Sequence, residues 1–154
     1  MTDVREVAAR TFKRPVSVLV VIHTQDLQVL LLERADHPGW WQSVTGSQDE
    51  GETLTETAIR EVREETGLEA TAYSLSDWGY ANEYEIYECY RHRYPPYTTH
   101  NTEHVFGLQL PQPLPVKLAP SEHLAWLWLT WEEAAAKCFS PSNAAAIRLL
   151  PARL

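Results

Sequence analysis

Between Val16 and Ile22 the chain reads Val-Ser-Val-Leu-Val-Val-Ile, an almost unbroken β-branched apolar run that predicts a central strand buried on both faces. His23 to Gln28 form a polar turn, and Val29-Leu30-Leu31-Leu32-Glu33-Arg34 predicts the next strand. Trp40 to Thr45 then leads into a loop holding Gly46 and Gly51, whose missing side chains permit backbone angles closed to other residues. The period changes after that loop. Thr53-Leu54-Thr55-Glu56 has the form of a capping box and Gly67 suits a left-handed helix end, so a helix of about a dozen residues is expected between them. Further on, Tyr84 to Tyr94 alternates and predicts a long strand stopped by Pro95-Pro96, with further strands at Thr102 to Leu110 and Leu124 to Leu129. Pro111 to Pro120 reads as a surface connection, and Trp131 to Cys138 as a short helix. Ser140-Pro141 gives the cap and first residue of a last helix reaching about Leu150. This order predicts a mixed α/β domain.

Composition narrows the picture. A chain of 154 residues is enough for one domain with a real core, with residues 1–12 as an N-terminal extension and 13–154 as the domain. A formal net charge of −8 disfavours duplex nucleic acid and anionic membrane surfaces as partners, while leaving small phosphates neutralised by a metal compatible. Cys89 and Cys138 offer neither metal-ligand spacing nor a disulfide framework, which fits a reducing cytoplasm. No apolar run approaches the ~20 residues that span a bilayer, and the N-terminus lacks a signal-peptide pattern.

The expected helix carries the chemistry. At roughly 100° per residue, Glu61 and Glu65 point within about 40° of one another and close to the direction of Leu54 and Ala58, with Glu64 flanking. A solvated acidic face would put its acids opposite the apolar stripe with bases four residues away. Arg60 and Glu64 fit that pattern; Glu61 and Glu65 do not. Two like charges so placed call for a cation between them. Joined by Glu52 from the preceding loop, they form an all-oxygen donor set of the kind preferred by Mg²⁺, with Mn²⁺ as the alternative, and unsuited to Zn²⁺.

Gly46, Glu52, Arg60, Glu61, Val62, Glu64, Glu65, Gly67 and Leu68 match every fixed position of the Nudix box, so the chain resembles the Nudix hydrolases. The resemblance implies a single-domain α/β/α sandwich around a mixed sheet, with Mg²⁺-dependent hydrolysis of a nucleoside-diphosphate-like linkage by water. Five further stretches resemble one branch of that family, the dihydroneopterin triphosphate pyrophosphohydrolases of bacterial folate synthesis. These are Lys13 to Ile22, Trp41 to Ser47, Arg91 to Tyr94, Asn101 to Glu103 and Glu122 to Ala125. That branch implies release of pyrophosphate from a pterin triphosphate. The alternatives are a Nudix enzyme of deoxynucleoside triphosphates such as dATP or oxidised dGTP, and a non-catalytic nucleotide-sensing module. Sensing modules commonly lose box glutamates, which this chain keeps.

On this resemblance Glu61, Glu65 and Glu122 hold the metal with help from Glu64 and the Gly46 carbonyl, and Arg60 orients the glutamates. The proton is taken from water by Glu61, Glu64 or Glu122, between which spacing does not choose. Glu103 is the second candidate for the place of Glu122. Lys13 and Arg34 lie near the glycine loop and can meet phosphates, against readings as an exposed base and as an ion pair with Glu33 or Asp36. Thr45 could donate its hydroxyl to the pterin or its side chain. Tyr84, Glu85, Ile86 and Tyr87 are candidate heterocycle contacts, set against ordinary core packing, and Ser140 is a candidate contact set against a plain helix cap. Arg91-His92-Arg93 could form a phosphate clamp, but alternation sends the two arginines to one face and His92 to the other, and pairing with Glu85 or Glu88 accounts for them. The partner expected is a small-molecule triphosphate bound to a monomer.

Overall fold

The computed structural model describes residues 12–153, so the expected extension at 1–12 lies almost wholly outside the described residues. Seven strands form one mixed sheet: β1 (Val16–Thr24), β2 (Gln28–Arg34), β3 (Trp41–Gln42), β4 (Val44–Ser47), β5 (Ser74–Glu85), β6 (His100–Leu110) and β7 (His123–Thr130). The helices are α1 (Leu54–Thr66), α2 (Trp131–Lys137) and α3 (Pro141–Arg148). β1 and β6 run parallel at the centre, β5 flanks β6, and β2 carries β7 on the far side.

The continuous apolar run of β1 is explained by burial on both sides. Val18, Val20 and Ile22 join the core beneath α1 with Ala58 and Val62, while Leu19 and Val21 join the core beneath α3 with Ala146 and Ile147. Two helical layers therefore sandwich the sheet. β1 pairs with β2 only at His23↔Val29; elsewhere β1 takes β4, across Ser17 to Val20, and β2 takes β3. The Ser17 end of β1 and the Arg34 end of β2 thus part company, and both border the principal cleft.

Both helix-end signals are realised in α1. The Thr53 hydroxyl accepts from the Glu56 amide at 3.1 Å, the Glu56 carboxylate accepts from the Thr53 amide at 3.0 Å, and Gly67 closes the helix at φ 74°. Gly51 uses a positive φ as expected; Gly46 does not, and its need for glycine has another origin described below.

Three segments depart from expectation. Ser74–Glu85 forms an edge strand that its polar sequence hides, because one face is exposed and a bulge between Asp77 and Tyr80 breaks the alternation. The expected strand from Tyr84 to Tyr94 ends at Glu85. After Ile86 donates its amide to Thr99 at 2.8 Å, residues Glu88–Arg93 turn into a 3₁₀ helix. At 3 residues per turn Arg91 and Arg93 no longer share a face. The stretch Pro111 to Pro120 lacks helix and strand but is more than a surface strap: Leu114, Val116 and Leu118 pack on the core, and the Trp128 indole donates to the Leu114 carbonyl at 2.9 Å.

Candidate active site

A cleft of about 510 Å³ opens where β1, β2 and β4 meet α1 and the Glu88–Arg93 turn. Of the residues singled out from sequence, it is lined by Lys13, Arg34, Thr45, Gly46, Glu61, Glu64, Glu65, Tyr84, Ile86, Tyr87, Glu103, Glu122 and Ser140. These come from eight separate stretches, so their convergence is a property of the fold.

At one end stand the α1 carboxylates. Glu61 and Glu65 are buried whereas Glu64, on the helix flank, is exposed. Burial raises the carboxyl pKa of both buried residues, and the Glu61 charge raises Glu65 further, with Glu122 adding to it from the start of β7. The Oε1 atom of Glu65 has no hydrogen-bond partner although it is shielded from solvent. His123 approaches it at 3.6 Å, but burial pushes that imidazole down to about 4, so it is neutral near pH 7 and brings no balancing charge. An orphaned carboxylate oxygen beside a second buried carboxylate is a site for a hard divalent cation, and oxygen-only donors suit that class of ion. Among the described residues no three acidic, imidazole or thiol side chains close a ligand shell by themselves. Oxygens from outside the side chains must complete it, as for an ion that keeps its waters and takes substrate oxygens.

Arg60 holds this end together. Its guanidinium donates to both oxygens of Glu52 at 2.7 and 3.0 Å, to Glu61 at 2.7 Å and to the Ser47 carbonyl at 2.9 Å. Glu52 also accepts from the Thr57 hydroxyl at 2.7 Å, and these donors hold its carboxyl down at about 2. Glu52 therefore stands away from the cleft as the counter-ion of Arg60, not beside Glu61 and Glu65 as the all-oxygen reading expected. Gly46 explains itself here: an α-carbon substituent would overlap the Glu61 carboxyl.

A cationic wall faces the acids. Arg34 makes a two-pronged ion pair with Asp36 at 2.8 Å and donates to Gln42 at 3.1 Å, while Arg93 reaches the same Asp36 at 3.2 Å. Both guanidinium carbons lie 4.7 Å from the Tyr90 ring centre. Lys13 donates its amide to the Arg93 carbonyl at 2.7 Å, and desolvation together with the charge of Arg93 lowers its ammonium pKa. The ion pair foreseen as the bland reading of Arg34 is real, yet it fixes the guanidinium at the cleft instead of removing it. Arg93 is passed over as a phosphate contact in the sequence reading because assumed strand alternation ties it to Arg91 and its acidic neighbours. Only Arg91 turns outward, to Glu85 and the Ile86 carbonyl. Glu85 is accordingly an exposed ion-pair partner that does not line the cleft.

The third wall is aromatic. Tyr87 and Phe139 line the cleft with their ring centres 5.7 Å apart, and behind them Trp40 stacks on Phe139 at 4.5 Å and on His37 at 4.0 Å. Thr45 donates its hydroxyl to the Val18 carbonyl at 3.0 Å, so it has only lone pairs to offer a ligand, contrary to the expected donor role. Ser140 caps α3, accepting from the Asn143 amide at 3.4 Å, and borders the cleft at the same time. Ser17, Asn101 and Asn143 line it as well; Ser17 and Asn101 fall within stretches that carry the branch resemblance, yet none of the three was singled out, since isolated small polar residues on strands and helices are commonplace.

A family model for the NUDIX domain matches residues 13–150. The chain belongs to the Nudix family. This Nudix hydrolase is 48% identical over 141 residues to the dihydroneopterin triphosphate diphosphatase of Escherichia coli strain K12, covering 90% of this chain and 93% of that protein. It is 41% identical over 141 residues to the protein of the same name from Haemophilus influenzae, covering 89% and 87%. The solved structure of the E. coli dihydroneopterin triphosphate pyrophosphohydrolase superposes with a TM-score of 0.84 at 48% identity, covering 89% of this chain and 94% of that one. Nudix hydrolases generally use divalent metals, in keeping with the oxygen donors gathered here. Among the described residues no helix is long and apolar enough to cross a membrane.

Proposed function

We propose that this Nudix hydrolase splits dihydroneopterin triphosphate into dihydroneopterin monophosphate and pyrophosphate, using Mg²⁺. The observation that carries this reading is the single cleft in which buried glutamates, three cationic side chains and an aromatic wall meet. Near half-identity to two relatives named for that reaction, over nine-tenths of the chain, supports the substrate.

Glu61 and Glu65 would hold the ion, with Glu122 and the Gly46 carbonyl beside them. A divalent cation there would shield phosphate charge and make a bound water more acidic. The chain's own groups supply the rest. Lys13, Arg34 and Arg93 offset the charge that grows on the phosphate oxygens during displacement, and the paired guanidiniums, stiffened by Asp36 and Tyr90, reach it without reorganising. Arg60 keeps Glu61 aimed through ion pairs to both Glu61 and Glu52. It is a positioning residue and does not line the cleft. Exposed Glu64 and Glu122 can pass a proton to solvent, and we assign water activation to one of them, since Glu61 and Glu65 serve the ion.

The reading places the chain in the cytoplasm as a monomer, and its free Cys89 and Cys138 are compatible with a reducing compartment. Steady-state turnover of purified protein with Mg²⁺ on dihydroneopterin triphosphate, dATP, dGTP and oxidised dGTP tests the proposal. We expect kcat/KM for the pterin to exceed every nucleotide by about tenfold or more, a difference worth about 1.4 kcal/mol. A nucleotide used as well as the pterin would overturn the substrate assignment.

A further inference from the structure

At the end of the cleft away from α1, strands β1, β5 and β6 present a small polar patch whose members the hydrolytic chemistry does not use. Parallel pairing sets Ser17 beside Glu103, and antiparallel pairing sets Tyr84 beside Asn101. Residues 101 and 103 are two apart on one strand, so both side chains face the same way, towards the cleft and α3. Both are buried, at 1% and 5% exposure. The Asn101 amide spends its two N–H groups on Ser17 Oγ, at 2.7 Å, and on the Tyr84 hydroxyl, at 3.0 Å. Its Oδ1 atom is left shielded and without a partner. Glu103 accepts a single long hydrogen bond, from the Ser142 hydroxyl at 3.3 Å, and among the described residues it forms no ion pair.

Asn101 Oδ1 is thus a buried acceptor left unsatisfied, and beside it on the cleft wall Glu103 has acceptor capacity that one long hydrogen bond leaves unspent. What complements them is a flat ligand edge that carries adjacent N–H donors and no acceptor. The 2-amino-4-oxopyrimidine edge of a pterin supplies that pattern, with N3–H and the 2-amino group side by side. They match the two oxygens of a carboxylate as a guanidinium does. The adenine edge alternates donor and acceptor and leaves one carboxylate oxygen facing a lone pair, whereas guanine, with N1–H beside its 2-amino group, shares the donor pair, so this patch separates pterins and guanines from adenines.

Resting on the reading of the substrate as a pterin triphosphate, we propose that Glu103, backed by Asn101, is the specificity-determining residue that accepts both N–H groups of the pyrimidinone edge. Its own protonation fits that use. Burial pushes the empty carboxyl up to about 7, with no charged neighbour contributing, and an edge made of donors selects the ionised form. Tyr84 from β5 and Tyr94 beyond the 3₁₀ turn are the titratable groups that face it, and burial raises both, so they stay neutral through this range.

The test combines one variant with one pair of ligands. In Glu103→Gln an amide N–H₂ meets the ring donors, and KM for dihydroneopterin triphosphate should rise by about 30-fold while kcat stays within about threefold, as expected for loss of a buried polar pairing. Wild-type KM should fall as pH rises from 6 to 8, and that dependence should vanish in Glu103→Gln. The second arm compares two inhibitors, first on the wild-type protein: pterin, against lumazine, which carries oxygen in place of the 2-amino group. Pterin should inhibit about tenfold better, a preference that Glu103→Gln removes. Equal inhibition by the two ligands, or an unchanged KM in Glu103→Gln, overturns the role of Glu103 while leaving the substrate reading intact. Failure of the wild-type protein to turn over dihydroneopterin triphosphate, with nucleotides hydrolysed, overturns both.

Discussion

Gly46 on β4 lies against Glu61 of α1 so closely that a β-carbon would occupy the space of the Glu61 carboxyl. The loop and the helix are thereby fitted to each other at the one place where the acids gather. The obstructing atoms are the far end of a flexible side chain, so the backbone need not move to accommodate a methyl group. Gly46→Ala is expected to keep its fold, with a melting temperature within a few degrees of wild type, while kcat falls by about 100-fold because Glu61 is turned away. Circular dichroism melting beside steady-state rates checks this, and retained activity would show that the position of Glu61 is unimportant.

Glu65 separates metal binding from folding. Its carboxyl is buried, has an orphaned oxygen and faces the Glu61 charge, so without metal it strains the fold. Glu65→Gln should leave the metal-free melting temperature equal or higher, abolish the rise that millimolar Mg²⁺ gives wild type, and lower kcat by orders of magnitude. Differential scanning calorimetry with and without Mg²⁺ reads the first two effects. A variant that still gains stability from Mg²⁺ would mean that Glu65 is no ligand.

The cationic wall should act mainly in binding. Lys13→Ala and Arg93→Ala are each expected to raise KM several-fold, with a smaller effect on kcat. The double variant should fall short of additivity because Lys13 and Arg93 adjoin through the main chain and share one phosphate region. Inhibition by pyrophosphate provides an independent reading: its inhibition constant should rise in parallel with KM.

Much of this was written in the sequence, for reasons that differ between parts. The box helix was legible because its cap, its period and its glycine end all act within one segment, and the two-faced burial of β1 followed from its apolar run. The edge strand β5 was not, since an exposed face and a bulge erase the alternation on which strand reading depends. Tyr84 to Tyr94 misled in the opposite sense: alternation continued past the point where hydrogen bonding to the sheet stops at Ile86. Asn101 and Ser17 join the cleft through pairing between distant strands, and Arg93 through the 3₁₀ turn that replaces the expected strand, information that no local pattern holds. The Glu52 carboxylate, read from sequence as part of the oxygen donor set, is instead the counter-ion of Arg60, a role set by the placing of the guanidinium on both its oxygens.

Stability should vary with pH through Glu103. Burial raises its folded-state carboxyl from 4.5 to about 7, so between those values the native protein holds a proton that the unfolded chain has released. Stability contributed by this group is therefore present below about pH 4.5 and declines as pH rises through about 7. Glu103→Gln, which cannot ionise, should be more stable than wild type at pH 8 by up to about 3 kcal/mol, with the gap closing towards pH 5. Urea titrations at the two pH values check it, and a gap that widens in acid would contradict the assignment.

The central claim is that this cleft hydrolyses a pterin triphosphate between its phosphates with the help of a divalent ion. Phosphorus NMR of dihydroneopterin triphosphate incubated with the protein and Mg²⁺ tests it most directly. The triphosphate resonances should give way to equal amounts of pyrophosphate and pterin monophosphate, and chelation of the metal should stop the conversion. Release of orthophosphate instead, or conversion that continues at the same rate under chelation, would contradict it.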